Sequence, residues 1–240
     1  MENAIEKNKF NFLYRRIFKR LGLGFILTVT ISIWWTANLC MASNLKVSDP
    51  IIFDAQHTNK FLSAVKDHLG QMNSLRVNFV QERHMLVFEE PLVAEGILCY
   101  KSPGNLRWEL TKPFSSVLLY VNGKVSKVVK NGEENRQLDI GSQELMRQII
   151  GMIVGWMQGD LDKSREYFNL EVSCDQKYRV WLLPKTAALL KMIYSIELFM
   201  DVENYHIRKV IIHEPRGDRI EIRYLKEQWN PELLDDLFKP

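Results

Sequence analysis

At 240 residues, 46% hydrophobic and 25% charged, the chain can bury a sizeable core within the size range of one all-β domain, which excludes a disordered chain. Its formal net charge of +3 is concentrated at the start: residues 1–42 hold six of the 32 Lys and Arg and two of the 29 Asp and Glu, leaving 26 basic and 27 acidic residues in the remainder. That balance argues against nucleic acid as a partner, because phosphate binding needs a surplus of Lys and Arg on one surface.

The basic excess belongs to a targeting segment. Residues 1–20 end in "RRIFKR", Leu21 to Ala37 run without a charge, and "NLCMAS" follows, which is the order of a secretory signal with cleavage after Ala42. The alternative is an uncleaved inner-membrane anchor through residues 21–42, since the apolar stretch is long for a signal and Trp34 and Trp35 suit a membrane interface. A lipid-modified Cys40 is a third and weaker reading, because bulky Leu39 precedes it. Residues 43–240 are expected to form a single domain. Cys99 and Cys174 remain in it, either as a disulfide in an oxidising compartment or as two small buried hydrophobes.

From Asp54 to Met72 the apolar residues Phe61, Ala64, Val65, Leu69 and Met72 recur at helical spacing. "LRVNFVQER" then alternates as a strand, and "EGILCYKSPGNLRWELTKP" reads as two strands about a turn. Alternation puts Leu106, Trp108 and Leu110 on one face and Arg107, Glu109 and Thr111 on the other. A Pro103-Gly104-Asn105 turn would set Trp108 across from Tyr100 and Leu110 across from Leu98, whereas a shorter turn would pair Trp108 with Cys99. Two Asn-Gly pairs, Asn122-Gly123 and Asn131-Gly132, predict hairpins of an antiparallel meander.

"SQELMRQIIGMIVGWMQGD" departs from this pattern. It carries Leu145, Ile149, Met152 and Trp156 on one face and Met146, Ile150, Ile153 and Met157 on the adjoining one, too much apolar circumference for a one-sided contact. A fully buried core helix satisfies the periodicity; a lid whose second face meets a hydrophobic ligand is the sharper account, since Met suits variable shapes. Five strand-like segments follow. In the last, Ile220, Ile222 and Tyr224 oppose Arg219, Glu221 and Arg223, as in a sheet packed on one face and wet on the other.

Signals for catalysis are sparse. His57, His68, His84, His206 and His213 show no metal-ligand spacing, His213-Glu214 reads as a solvent-facing pair, and no nucleophile elbow, phosphate loop or dinucleotide fingerprint occurs. A non-enzymatic role without cofactor or metal is therefore expected.

Phe79-x-Gln81, the stretch from Gly96 through Lys101-Ser-Pro103 to Arg107-Trp108, Pro113, and the close "GDRIEIRYLKEQWNPELLDDLFKP" together resemble the periplasmic outer-membrane lipoprotein carriers, the LolA-like family. The resemblance implies a mainly β fold with helices (α+β): an incomplete antiparallel β-barrel around a hydrophobic cavity, covered by an α-helical lid. It implies a monomeric periplasmic carrier that takes acylated lipoproteins from an inner-membrane ABC transporter to an outer-membrane acceptor. Leu98, Tyr100, Leu106, Trp108 and Leu110 would line the cavity, and Leu145, Met146, Ile149, Ile150, Ile153, Trp156 and Met157 would form the lid. Ser102 stands where studied carriers hold their lid with an arginine, and a neutral hydroxyl cannot make the same charge-assisted contacts. The chain also stops at Pro240, short of the extension of longer members. Both departures suit a divergent carrier, or a carrier or sensor of another lipid or glycolipid. A structural envelope protein with a permanently filled barrel is the alternative from a different class.

Overall fold

The computed structural model describes residues 50–131, 134–139 and 144–239, with side chains described outside 127–148. The expected targeting segment, residues 1–42, lies outside this range. Among the described residues no helix is long and apolar enough to cross a membrane.

The strands are β1 (Ile51–Ile52), β2 (Ser74–His84), β3 (Leu92–Lys101), β4 (Asn105–Lys112), β5 (Ser116–Val121) and β6 (Lys124–Asn131), followed by β7 (Glu134–Asp139), β8 (Phe168–Cys174), β9 (Tyr178–Pro184), β10 (Ser195–Met200), β11 (Ile207–His213) and β12 (Arg219–Trp229). They form one antiparallel sheet in the order β1-β8-β9-β10-β11-β12-β2-β3-β4-β5-β6-β7. Two meanders, β2 to β7 and β8 to β12, are thus joined side by side through the β2–β12 pair. The sheet does not close on itself: β1 and β7 stand at its ends.

Its inner face wraps two helices, α1 (Ala55–Leu69) and α2 (Glu144–Met157); a short α3 (Ala187–Leu190) connects β9 to β10. Helix α1 starts where Asp54 accepts a 2.8 Å hydrogen bond from the His57 backbone N–H, and it buries Thr58, Phe61, Leu62, Val65 and Leu69 against the sheet. One continuous core joins these residues to Leu75, Val77 and Phe79 of β2, Leu98 and Tyr100 of β3, Leu106 of β4, and Val180, Leu182, Ile196 and Leu198 of the second meander. The period-2 pattern places alternate residues of every strand on this face.

Three sequence expectations need correction. The β3–β4 hairpin turns at Ser102-Pro103-Gly104, with Lys101 opposite Asn105, so Trp108 faces Leu98 and Leu110 faces Gly96. The shift relative to the expected register is two residues, so every side chain keeps its predicted face. The turn sits one residue early because the Gly104 N–H closes it onto the Lys101 carbonyl while the Ser102 N–H is held by the Asn73 carbonyl. At the second Asn-Gly pair β6 and β7 pair antiparallel as expected, but Asn131 belongs to β6 and pairs with Glu134. The first is as expected: Val121 pairs with Lys124 around Asn122 and Gly123, both at positive φ.

The third correction concerns the outer face, which is not wet throughout. Over β3 to β5 it is covered by the C-terminal residues, where Leu233 and Phe238 bury Cys99 and pack with Ile97 and Val121. Arg107 bonds Glu109 at 3.0 Å and donates to the Leu237 carbonyl at 3.1 Å, and Lys101 donates to the Leu233 carbonyl at 2.8 Å. Over β12 the expectation holds: Arg223 pairs with Glu221 and Glu82 on the outer face. His213 is not a solvent-facing partner of Glu214, since its Nε2 lies 2.7 Å from buried Glu197, which Arg179 also holds. Cys99 and Cys174 are both free.

Candidate functional site

The wall residues singled out from sequence come together on the inner face. Leu98, Tyr100 and Leu106 are at most 1% exposed, and Trp108 and Leu110 pack half-buried against the same core. The register brings Leu98 beside Trp108, whose ring centroid lies 4.6 Å from that of Phe79 on β2.

Helix α2 lies over this wall. Ile150, Val154 and Met157 are buried on one side of it, and Met152 and Trp156 on nearly the opposite side, with Ile149 and Ile153 half-buried between. The two-sided apolar pattern is therefore met by two-sided burial. Leu145 and Met146 belong to α2, but their side chains lie outside the described residues. At its C-terminal end the Trp156 indole N–H donates to Ser164 Oγ at 2.8 Å.

Sequence reasoning missed the residue that ties α2 to the wall. The Gln158 side-chain amide donates to the carbonyl of Pro103, in the β3–β4 turn. The donor is thus the residue directly after the helix and the acceptor the turn, a contact between neutral groups. A lone polar residue directly after the apolar run, in "GWMQGD", was the available signal.

Between α1, α2 and the sheet a cavity of about 30 Å³ remains, close to the space of one water. Leu69, Met72, Leu75, Val77, Trp156 and Met157 make its apolar lining, and His206, Glu227 and Trp229 close one end. The His206 ring stacks on Trp229 at 4.0 Å, and Glu227 Oε1 accepts from His206 Nδ1 at 2.6 Å and from Arg208 at 2.7 Å. Burial pushes the Glu227 carboxyl up, but the His206 hydrogen bond and the charges of His206 and Arg208 outweigh it and hold the group below its ordinary value of 4.5. A carboxylate lowered in the folded state stabilises the fold above its ordinary value, and that contribution is lost as pH falls through the folded one. Thermal melts below pH 4.5 should therefore show a shallower acid decline in Glu227→Gln than in the parent; an equal decline would mean that the cluster carries none of it.

The family model for the outer membrane lipoprotein carrier protein LolA matches residues 70–240. No curated protein matches the chain. Similar solved structures include a LolA superfamily protein from Nitrosomonas europaea, 12% identical, covering 76% of this chain and 97% of the other at a TM-score of 0.41. LprF from Mycobacterium bovis is 13% identical over 75% of this chain and 96% of its own, with a TM-score of 0.41. The MucA/MucB complex of Pseudomonas aeruginosa contributes a chain that is 12% identical, with 76% of this chain and 61% of that one covered and a TM-score of 0.44.

Proposed function

Because the chain belongs to the LolA family of outer membrane lipoprotein carrier proteins, we propose that it binds the acyl chains of lipoproteins against the inner face of its sheet and carries them through the periplasm. Residues 1–42 would be the cleaved export signal, and 43–240 the carrier domain. An inner-membrane ABC transporter would load it and an outer-membrane acceptor would unload it, as family membership suggests.

The observation that carries this reading is the apolar inner wall of Leu98, Tyr100, Leu106, Trp108 and Leu110, which α2 covers with apolar side chains. An acyl chain in water costs ~0.8 kcal/mol per CH₂, so a carrier must offer replacement apolar surface. Small-ligand pockets run to about 300–1,000 Å³, far above the 30 Å³ present here, so uptake requires α2 to withdraw. The chain would then take the place of Ile150, Ile153 and Met157 against Leu98, Tyr100, Leu106, Trp108 and Leu110.

Mass spectrometry of the protein isolated from the envelope should find an acylated lipoprotein or another lipid bound. Ile153→Glu, at a half-buried lid position, should weaken acyl-probe binding at least about tenfold while circular dichroism of the sheet is unchanged, since a charge there cannot face an acyl chain without a large desolvation cost. Unchanged binding would remove α2 from the site. The small cavity favours one competing reading, a structural protein whose helices fill the barrel permanently. Such a protein would leave the envelope without lipid and bind no acyl probe.

A further inference from the structure

Two polar atoms in this interior have no hydrogen-bond partner among the described residues: the Tyr100 hydroxyl and the Trp229 indole N–H, both buried. Buried polar groups are almost always paired, and an unpaired one costs stability. Two such groups in one apolar wall therefore need an explanation.

The register relates them. Trp229 of β12 pairs with Leu75 of β2, Leu75 with Tyr100 of β3, Tyr100 with Leu106 of β4, and Leu106 with Tyr120 of β5. This row crosses the inner face beneath the helices. Trp229 and Leu75 also line the cavity, and Tyr100, fully buried, is the next residue along. Adjacent strands are about 4.8 Å apart, so the two backbones lie about 10 Å from each other. An indole N–H can only donate, and a phenol donates readily, so the matching ligand atoms are acceptors. An acyl chain offers acceptors at one place, its carbonyl.

Resting on the carrier reading, we infer that Tyr100 and Trp229 are a carbonyl-binding pair that selects ester- or amide-linked acyl lipids bearing more than one chain, each donor taking one carbonyl oxygen. The bare hydrocarbon wall provides affinity for any long chain, and the row provides discrimination. A site built to hydrogen-bond a ligand group rejects the analogue lacking it, because its buried donors then stay unpaired.

The test compares 1,2-dioctanoylglycerol, which has two ester carbonyls, with 1,2-dioctylglycerol, its diether, by displacement of a fluorescent acyl probe from the protein purified from the envelope. The parent should bind the diester more tightly than the diether. Tyr100→Phe and Trp229→Phe should each reduce the ratio of diester to diether affinity about three- to tenfold, the size of one neutral hydrogen bond. The unliganded melting temperature of Tyr100→Phe should hold or rise, because an unpaired buried group has been removed; that of Trp229→Phe carries no such expectation, since the indole also stacks on His206. Equal affinity of the parent for both lipids, or retained preference in both variants, overturns the inference while the carrier reading stands. A fall in the unliganded melting temperature of Tyr100→Phe also overturns it, since it would reveal a partner within the protein. Binding of neither lipid by the parent overturns the carrier reading, and this one with it.

Discussion

A disulfide formed between Gly104→Cys and Val154→Cys is expected to abolish uptake of an acyl probe, with reduction restoring it. A β-carbon at residue 104 would lie 3.7 Å from Val154 Cγ1, which brings the two positions within bridging range. Gly104 is not among the glycines at positive φ, so it accepts a side chain without backbone strain. The bridge would join the turn that accepts from Gln158 to the last turns of α2, replacing a breakable contact with a covalent one. If locking lowers the open fraction to about one per cent of its free value, apparent affinity falls about a hundredfold. Titrations before and after dithiothreitol measure this, with each single-cysteine variant as control. Full uptake by the oxidised double variant would show that loading does not need α2 to leave the turn.

The largest effect on stability is expected from Gly96→Ala. An added β-carbon would meet the Glu109 carbonyl oxygen and Phe79 Cζ, each at 2.3 Å. Neither neighbour can yield cheaply: one is backbone in the paired strand β4, and Phe79 is 1% exposed against Trp108. The pairing of β3 with β4 is irregular at this point, stepping from Glu95–Lys112 to Gly96–Leu110, so the strands are already bent around the ring. Overpacking of this kind costs typically 1–3 kcal/mol, and a loss of about 3 kcal/mol corresponds to about 6–12 °C in Tm for a domain of this size. Calorimetry giving a change within about a degree would show that Phe79 has room to move. Phe79→Leu in the Gly96→Ala background should recover part of the loss, because it removes the ring that the methyl strikes.

The parts of this fold that sequence reveals are those with local causes. Helix α1 follows from the spacing of Phe61, Val65 and Leu69 and from the Asp54 cap, and the faces of β4 follow from alternation at Leu106, Trp108 and Leu110. The β3–β4 register was two residues off because turn placement depends on what holds the Ser102 N–H, and its acceptor, Asn73, lies across the sheet. The C-terminal cover escaped notice for a similar reason. Leu233, Leu237 and Phe238 show no strand or helix period, and their meaning depends on Arg107 and Lys101, more than a hundred positions earlier. Gln158 is polar after an apolar run, but order alone does not name its acceptor, the Pro103 carbonyl. Pairing of β2 with β12, which unites the two meanders, likewise has no local signal.

The C-terminal cover also decides where a reporter can be placed. Residues 233–238 press on the back of β3 to β5, the same strands whose front bears Leu98, Tyr100 and Trp108. A fluorophore or affinity handle joined to the chain end would emerge behind the wall, with a sheet between it and α2. Changes in its signal on loading would then report bending of the wall itself, whereas a dye near residue 158 would report the helix. Two colours, one at each place, would separate a carrier that opens by lifting its helix from one that opens by spreading its sheet.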